Sequence, residues 1–166
     1  LSKPPLLNLR TVGINDLIEE SLAEIPHEIF SNIEVVKELG DDLPQVKVDP
    51  EKLKQVFINL LQNASEAMQG KGKIQINTCR RATNEKEFIN LTFEDTGYGI
   101  SEEIIEKIFD PFYTTKTKGT GLGLAICKKI IDAHQGKIEI KSRVGVGTTI
   151  VIWLPMEKKT FSAFSV

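Results

Sequence analysis

The chain has 166 residues with 21 basic and 23 acidic side chains, a net charge of −2, so no overall basic field argues for nucleic acid or an anionic membrane as a partner. Its composition, 40% hydrophobic and 27% charged, is that of a globular domain long enough to bury a core. No apolar run could span a bilayer, since the longest, IVIWLP, has the length of a strand.

The two ends of the chain carry no domain signal. The sequence begins without an initiator methionine or a signal peptide, so we expect a piece of a longer protein. Residues 1–9 are proline-rich and are predicted to form an extended connector, residues 10–156 a single domain, and residues 157–166 a tail.

Cys79 and Cys127 share no motif spacing, so both are predicted to be structural thiols of a reducing compartment.

The first predicted elements are a helix and a strand. Apolar residues recur at helical spacing over residues 12–25, with Asn15 as the expected N-cap. Residues 32–39, NIEVVKEL, are typical of a strand, and the polar segment that follows is typical of a loop.

The strongest helix signal begins at Asp49, a good N-cap, and Pro50 suits the first helical position. An apolar stripe follows at helical spacing: Leu53, Val56, Phe57, Leu60, Leu61, Ala64, Ala67 and Met68. Gly70 and Gly72 are expected to end the helix. The stripe predicts that one face of this helix packs against the core.

The second half of the chain alternates between strand and helix patterns. We predict strands over residues 73–78 and 88–95, helices over 101–109 and 122–136, and strands over 137–142 and 148–155. One mixed sheet covered by helices on one face accommodates this order. The predicted fold class is therefore α+β, a two-layer α/β sandwich.

Glycines cluster at three places: EDTGYGI (94–100), GTGLGLAI (119–126) and RVGVGTT (143–149). A glycine-rich turn entering a helix can hold phosphates, but it can equally be a tight junction that needs small residues. The spacing matches neither a dinucleotide fingerprint nor a P-loop, because residues 119–126 follow a polar loop and GxxxxGK[ST] is absent. The third cluster taken alone is typical of a hairpin turn.

Polar side chains follow one edge of the long helix. Asn59, Asn63 and Glu66 lie at positions i, i+4 and i+7, beside the apolar stripe. Asparagine is a mediocre helix former, so two of them on one edge suggest a reason beyond propensity. They could form a solvated flank, or their oxygens could hold Mg²⁺ together with water and phosphates.

Five motifs in order, NLLQNASEAM, DTGYGI, FDPFYTTK, GTGLGLAI and GVGTT, resemble the Bergerat-fold (GHKL) ATP-binding domains. They are most similar to the catalytic ATP-binding (HATPase) domain of bacterial two-component sensor histidine kinases. The strong match covers residues 49–155, and residues 10–48 match more loosely. The resemblance implies a mixed, mostly antiparallel sheet with helices on one face, and a mobile ATP lid over residues 110–118.

The resemblance assigns an adenine pocket. Asp95 would accept a hydrogen bond from the adenine amino group, which distinguishes adenine from the carbonyl of guanine. Gly97 and Gly99 would let the backbone pass close to the base, and Thr148 would bind it through its hydroxyl or a water. Ile100 and Leu124 would line the slot; Phe109 and Phe112 would position the lid.

The resemblance also assigns a phosphate site with Mg²⁺. Asn63 would bind the metal, Asn59 would support the metal or the phosphates, and Lys116 would reach the γ-phosphate when the lid closes. The expected catalytic residues are Asn59 and Lys116. The expected ATP-binding residues are Asn59, Asn63, Glu66, Asp95, Gly97, Gly99, Ile100, Phe112, Thr115, Lys116, Gly119, Thr120, Gly121, Leu122, Gly123, Leu124 and Thr148.

The residue at position 59 bears on what becomes of the ATP. Related topoisomerases, mismatch-repair ATPases and heat-shock chaperones hydrolyse ATP with a glutamate four residues before the metal asparagine. Here that residue is Asn59, and an amide cannot deprotonate water. Glu66 is an acid on the same edge, but it lies two turns away. The resemblance therefore implies transfer of the γ-phosphate to a histidine of a separate phosphoacceptor domain.

Two other functions share these motifs: a serine protein kinase of the anti-sigma-factor type, and a non-catalytic ATP-binding regulatory module. Neither histidine of this chain fits the acceptor pattern; His27 lies between predicted elements, and His134 lies at a helix end where a cation would complement the dipole. We expect the acceptor histidine in an upstream dimerisation domain. The expected partners are that domain and a response regulator receiver domain. We expect the domain to lie in the cytoplasm and to contact neither nucleic acid nor the membrane directly. The parent protein could be anchored in a membrane.

Overall fold

The computed structural model describes residues 3–111, 113 and 123–156. The helices are α1 (Ile14–Glu24), α2 (His27–Phe30), α3 (Pro50–Ala67), α4 (Glu102–Ile105) and α5 (Gly123–Ala133). The strands are β1 (Arg10–Val12), β2 (Asn32–Leu39), β3 (Val46–Val48), β4 (Lys71–Thr83), β5 (Lys86–Asp95), β6 (Lys137–Arg143) and β7 (Gly147–Pro155). Among the described helices, none is both long enough and apolar enough to cross a membrane.

The main sheet has five strands in the order β2-β4-β5-β7-β6. The β2–β4 pair is parallel and the other pairs are antiparallel, so the sheet is mixed and mostly antiparallel, as predicted. Ladder partners that lie side by side across β4, β5, β7 and β6 form rows on one face of the sheet. Two such rows are largely apolar: Ile76, Phe93, Ile150 and Ile140, and Thr78, Leu91, Ile152 and Ile138.

Helix α3 covers this face of the sheet. Its predicted apolar stripe is buried apart from the half-buried Ala67, and the tilted rings of Phe57 and Phe93 on β5 have centroids 5.7 Å apart. Asp49 is the N-cap, as predicted, and its side chain accepts the backbone N–H of Lys52. Helices α1 and α5 flank α3, which completes the predicted two-layer α+β arrangement.

The C-terminal end of α3 differs from the prediction. The helix ends at Ala67 with Met68 as the C-cap, before the predicted Gly70. Gln69 takes the first left-handed conformation, with φ of 56°, and Gly70 continues it with φ of 77°. These two left-handed residues lead directly into β4, which begins at Lys71.

The start of α1 also differs from the prediction. Gly13, rather than Asn15, is the N-cap. Asn15 lies inside the helix, where its Nδ2 donates to the carbonyl of Gly40 and its Oδ1 accepts the hydroxyl of Thr78. Its partners lie 25 and 63 residues away in sequence, so a local capping rule could not identify them.

Several short elements were not predicted. Strands β1 and β3 pair over three residues each, which is too short for periodicity to identify, and α2 has four residues. Strand β4 runs to Thr83, well beyond the predicted 73–78, because Asn84 and Glu85 both take positive φ and close a two-residue hairpin.

Two predicted helices are shorter in the structure. Helix α4 covers only Glu102–Ile105, not 101–109. Helix α5 ends at Ala133, and Gln135, with φ of 59°, takes the left-handed position expected of Gly136. The boundaries proposed for the connector, the domain and the tail stay predictions.

Candidate nucleotide-binding site

A polar row ends the apolar face of the sheet. Ile74, Asp95, Thr148 and Ser142 lie side by side across β4, β5, β7 and β6. The two neighbouring rows are largely apolar, so polar side chains appear together where this face reaches its edge. Asp95 and Thr148 were predicted site residues, and the structure brings them together with Ser142, which was not predicted.

Asp95 is only 9% exposed, and its carboxylate is held by one of its two oxygens. Oδ1 accepts the backbone N–H of Gly97 at 2.8 Å and that of Thr148 at 3.2 Å. Among the residues that the structure describes, none donates to Oδ2. The carboxylate is therefore fixed through Oδ1, and within the described part of the chain Oδ2 has no protein donor.

The electrostatics of Asp95 reflect this burial. Loss of solvent raises the pKa of the carboxyl group, and the nearby charge of Glu94 raises it further. The hydrogen bonds from Gly97 and Thr148 lower the pKa, but they do not cancel the effect of burial. A hydrogen-bond donor at Oδ2 would relieve this desolvation, which favours ligands with an N–H group.

The loop after Asp95 is packed between two elements. A Cβ on Gly97 would lie 2.8 Å from the backbone of Ala67 at the end of α3, and the N–H of Tyr98 donates to the carbonyl of Ala67. Gly99 has φ of 78°, and a Cβ there would collide with the carbonyl of Arg143. These glycines are therefore required for packing of the loop, whereas close approach to a base stays a prediction.

Ser142 joins this loop to the β6–β7 hairpin. Its Oγ accepts the N–H of Ile100 at 2.7 Å, lies 2.7 Å from the hydroxyl of Thr148, and donates to the carbonyl of Gly147 at 2.9 Å. The signal for Ser142 was present in the sequence, because KIEIKS alternates and a hairpin around the RVGVG turn pairs Ser142 with Thr148. We had assigned no function to that strand.

The polar edge of α3 faces the start of α5. Asn63 Nδ2 donates to Asn59 Oδ1 at 2.9 Å, and both side chains are half-buried. A Cβ on Gly123, the first residue of α5, would lie 2.8 Å from Asn59 Nδ2, so only glycine allows this approach without a shift. Glu66 is exposed farther along the edge, and Leu124 packs partly against the core.

The donor set can be compared with the needs of Mg²⁺. Amide oxygens suit this hard cation, which keeps several waters and binds phosphate oxygens. The described residues contain no cluster of three or more histidine, cysteine, aspartate or glutamate side chains that could hold a metal alone. Asn59 and Asn63 therefore fit a metal that is held mainly by phosphates and waters, with amide support.

Part of the predicted site lies outside the described residues. These residues are Phe112, Thr115, Lys116, Gly119, Thr120, Gly121 and Leu122, together with most of the predicted lid. Phe109 is described, and it packs partly against the core.

The two histidines have different surroundings. His27 is exposed at the start of α2. His134 Nδ1 donates to the carbonyl of Ile130, and its Nε2 accepts the backbone N–H of Asp49 at 3.0 Å. His134 therefore connects the end of α5 to the start of α3.

Known proteins resemble the chain over almost all of its length. The family described as "Histidine kinase-, DNA gyrase B-, and HSP90-like ATPase" matches residues 48–158. The signal transduction histidine-protein kinase AtoS of Escherichia coli is 39% identical over 93% of this chain and 25% of its own length. Sporulation kinase E of Bacillus subtilis is 36% identical over 95% of this chain and 21% of its own length. The chain thus spans about a quarter of these relatives.

Solved structures show the same fold. The catalytic domain of the histidine kinase ThkA superposes with a TM-score of 0.80 at 39% identity, covering 90% of this chain and 97% of that domain. ThkA in complex with the response regulator protein TrrA gives a TM-score of 0.73 at 36% identity, covering 90% of this chain and 42% of that one. The chain therefore belongs to the histidine kinase-, DNA gyrase B- and HSP90-like ATPase family, and within it to the catalytic ATP-binding domains of sensor histidine kinases.

Proposed function

We propose that this domain binds ATP with Mg²⁺ and transfers the γ-phosphate to a histidine of a separate phosphoacceptor domain in two-component signalling. The observation that carries the proposal is the carboxylate of Asp95, which is buried and anchored through Oδ1, while none of the described residues donates to Oδ2. A fixed acceptor in a poorly solvated place binds an amino group and rejects a carbonyl oxygen. The base proposed for this slot is adenine, whose exocyclic amino group is such a donor.

The amide pair on α3 supplies the second part of the site. Asn59 holds the amide of Asn63 by accepting from its Nδ2, which orients the Asn63 side chain for the metal. Mg²⁺, when bound, would neutralise charge on the phosphate oxygens during transfer. Residues 119–123 and Lys116 would complete the phosphate site, as the sequence predicts.

Position 59 favours transfer over hydrolysis. The side chain there is a neutral amide that is hydrogen-bonded to Asn63, and neither group can accept a proton from water. Phosphate transfer to a protein nucleophile does not need a base at position 59 if the domain that carries the nucleophile supplies the base. The histidine kinases among the relatives, and the complex of one of them with a response regulator, support histidine as the acceptor and a receiver domain as the next partner.

The same proposal assigns the domain to the cytoplasm, with its acceptor histidine in an upstream domain. The serine kinase and the non-catalytic module are not favoured, because the named relatives are histidine kinases. The net charge of −2 is the reason that we expect no nucleic-acid partner.

The test is a calorimetric titration of ATP with MgCl₂ into the chain, beside the variants Asp95→Ala and Asp41→Ala. Asp41 is an exposed carboxylate in the loop after β2, so its variant is the matched control. We expect saturable binding by the wild type and Asp41→Ala, and none by a folded Asp95→Ala. Transfer of labelled phosphate to a supplied acceptor domain follows. A folded wild type that does not bind ATP would contradict the proposed ATP site. A wild type that binds ATP but transfers no phosphate to the acceptor domain would contradict the proposed phosphotransfer.

A further inference from the structure

Ser142 makes three hydrogen bonds with one hydroxyl. Its partners are the N–H of Ile100, the hydroxyl of Thr148 and the carbonyl of Gly147. The first two connect separate parts of the predicted adenine slot, since Ile100 ends the loop after Asp95 and Thr148 lies beside Asp95. The backbone pairs of β6 and β7 already close the hairpin, so the hydrogen bond from Ile100 to Ser142 is not needed to form it.

The chemistry of the partners fixes the direction of each bond. An N–H can only donate and a carbonyl can only accept, while a hydroxyl has one proton and two lone pairs. All three bonds of Ser142 are satisfied together when it accepts from Ile100 and from the hydroxyl of Thr148, and donates to Gly147. The proton of Thr148 is then used inside the protein, and only lone pairs of its oxygen remain for a ligand.

This arrangement gives the slot a single polarity. Asp95 Oδ2 and Thr148 Oγ1 both present lone pairs, on neighbouring residues of the β5–β7 ladder. An adenine amino group brings N–H donors, whereas guanine brings a carbonyl oxygen at the same place. A Thr148 hydroxyl that could turn freely would donate to that carbonyl and weaken the discrimination.

We infer that Ser142 is a positioning residue that sets the base selectivity of the slot, by holding the Thr148 hydroxyl as an acceptor and fixing the Ile100 end of the loop. The inference rests on the proposed function, because it assumes that ATP occupies this slot. Ser142 does not touch the base; it acts through Thr148 and Ile100.

The experiment titrates ATP and GTP separately, each with MgCl₂, into the wild type, Ser142→Ala, Ser142→Thr and Ser31→Ala. Ser142→Ala is expected to narrow the ratio of ATP to GTP affinity by about tenfold, the value of one hydrogen bond in a binding equilibrium. Ser142→Thr keeps a hydroxyl in a strand that tolerates β-branching, so we expect the wild-type ratio to return. Ser31 is exposed and donates to the carbonyl of Glu28, its one hydrogen-bond partner among the described residues, and its variant is the control.

The ratio separates positioning from plain stability. A purely structural Ser142 would lower the free energy of unfolding and leave the ratio unchanged, and that result overturns the inference. If Ser142→Ala does not fold, Thr148→Val tests the same hydrogen-bond network. A ratio of ATP to GTP affinity equal to that of the wild type in Thr148→Val would also contradict the inference. If ATP binding is lost in Asp95→Ala but the ratio of ATP to GTP affinity is unchanged in Ser142→Ala, this inference alone is overturned. If the wild type binds no ATP, the proposed function is overturned and the inference with it.

Discussion

Two buried carboxylates, Asp49 and Asp95, have similar exposure and opposite electrostatics. They are 4% and 9% exposed, and each accepts two backbone N–H groups. Burial raises the pKa of both carboxyl groups. For Asp49, the bonds from Asn8 and Lys52 and the charge of Lys52 outweigh burial and leave the pKa lowered. For Asp95, burial prevails and the pKa is raised.

The nearby charges act in opposite directions, since Lys52 lowers the pKa of Asp49 and Glu94 raises that of Asp95. The two side chains also differ in how their donors are shared between the oxygens. In Asp49, Oδ2 accepts the N–H of Asn8 at 2.9 Å and Oδ1 that of Lys52 at 3.1 Å, so both oxygens are used. In Asp95, both donors converge on Oδ1. We therefore interpret Asp49 as a structural carboxylate and expect the ligand at Asp95. Burial alone does not separate the two cases.

Asp49 also joins three parts of the chain. Its side chain caps α3 and holds the connector at Asn8, while its own N–H donates to His134 after the end of α5. The comparison therefore predicts that Asp49 matters for stability and Asp95 for binding.

The largest expected effect is on ATP binding by Asp95→Asn. The amide can keep an oxygen on the N–H groups of Gly97 and Thr148, but it turns a donor toward the adenine amino group. We expect affinity to fall about 100-fold, the equivalent of a lost charged hydrogen bond with an unpaired group left behind. Chemical denaturation should show unchanged or higher stability, because a buried charge has gone. Affinity within threefold of the wild type by calorimetry would break the comparison.

Asp49→Ala should show the reverse pattern. Loss of the cap and of the acceptor for Asn8 should lower the free energy of unfolding by about 2 kcal/mol in urea titrations. The ATP affinity of the folded fraction should not change. Asp49→Asn keeps acceptor oxygen and serves as the control, with a smaller loss. Equal stability of Asp49→Ala and the wild type would refute the structural role.

His134→Ala tests the contact on the backbone of Asp49. The N–H of Asp49 loses its acceptor, so we expect a loss of about 1 kcal/mol in the same urea titrations. His27→Ala is the control, because His27 is exposed and should have no measurable effect. If the two variants lose the same free energy, the bond from Asp49 to His134 does not stabilise the fold.

The smallest effects are those of pH. The lowered pKa of Asp49 means that its contribution to stability is complete above the unfolded pKa of about 3.9 and is lost as pH falls through the folded pKa. The raised pKa of Asp95 acts in the opposite direction, since the folded state gains stability as pH falls through that raised pKa. The acid limb of a stability–pH curve should therefore flatten in Asp49→Asn and steepen in Asp95→Asn. Parallel curves for the two variants would contradict these opposite signs.

Local patterns were enough to predict the framework of this domain. Strand β2 matches its predicted range of 32–39, and the apolar stripe of α3 is buried as its spacing implied. Asp49 was identified as an N-cap because its partner Lys52 lies three residues away. Asp95 was identified because its motif is continuous in sequence. In each case the physical cause, a period or a turn, lies within a few residues of its effect.

Partners that are distant in the chain could not be inferred in this way. The bonds of Asp49 to Asn8 and His134 join residues 41 and 85 positions apart, and the bond of Thr148 to Asp95 joins residues 53 apart. Periodicity shows which face of an element is buried, but it does not show which donor and acceptor atoms form hydrogen bonds across the sheet. The bonds that anchor Asp95 through one oxygen and the three bonds of Ser142 follow only from strand register and packing, because a hydrogen bond depends on position in space to within tenths of an ångström.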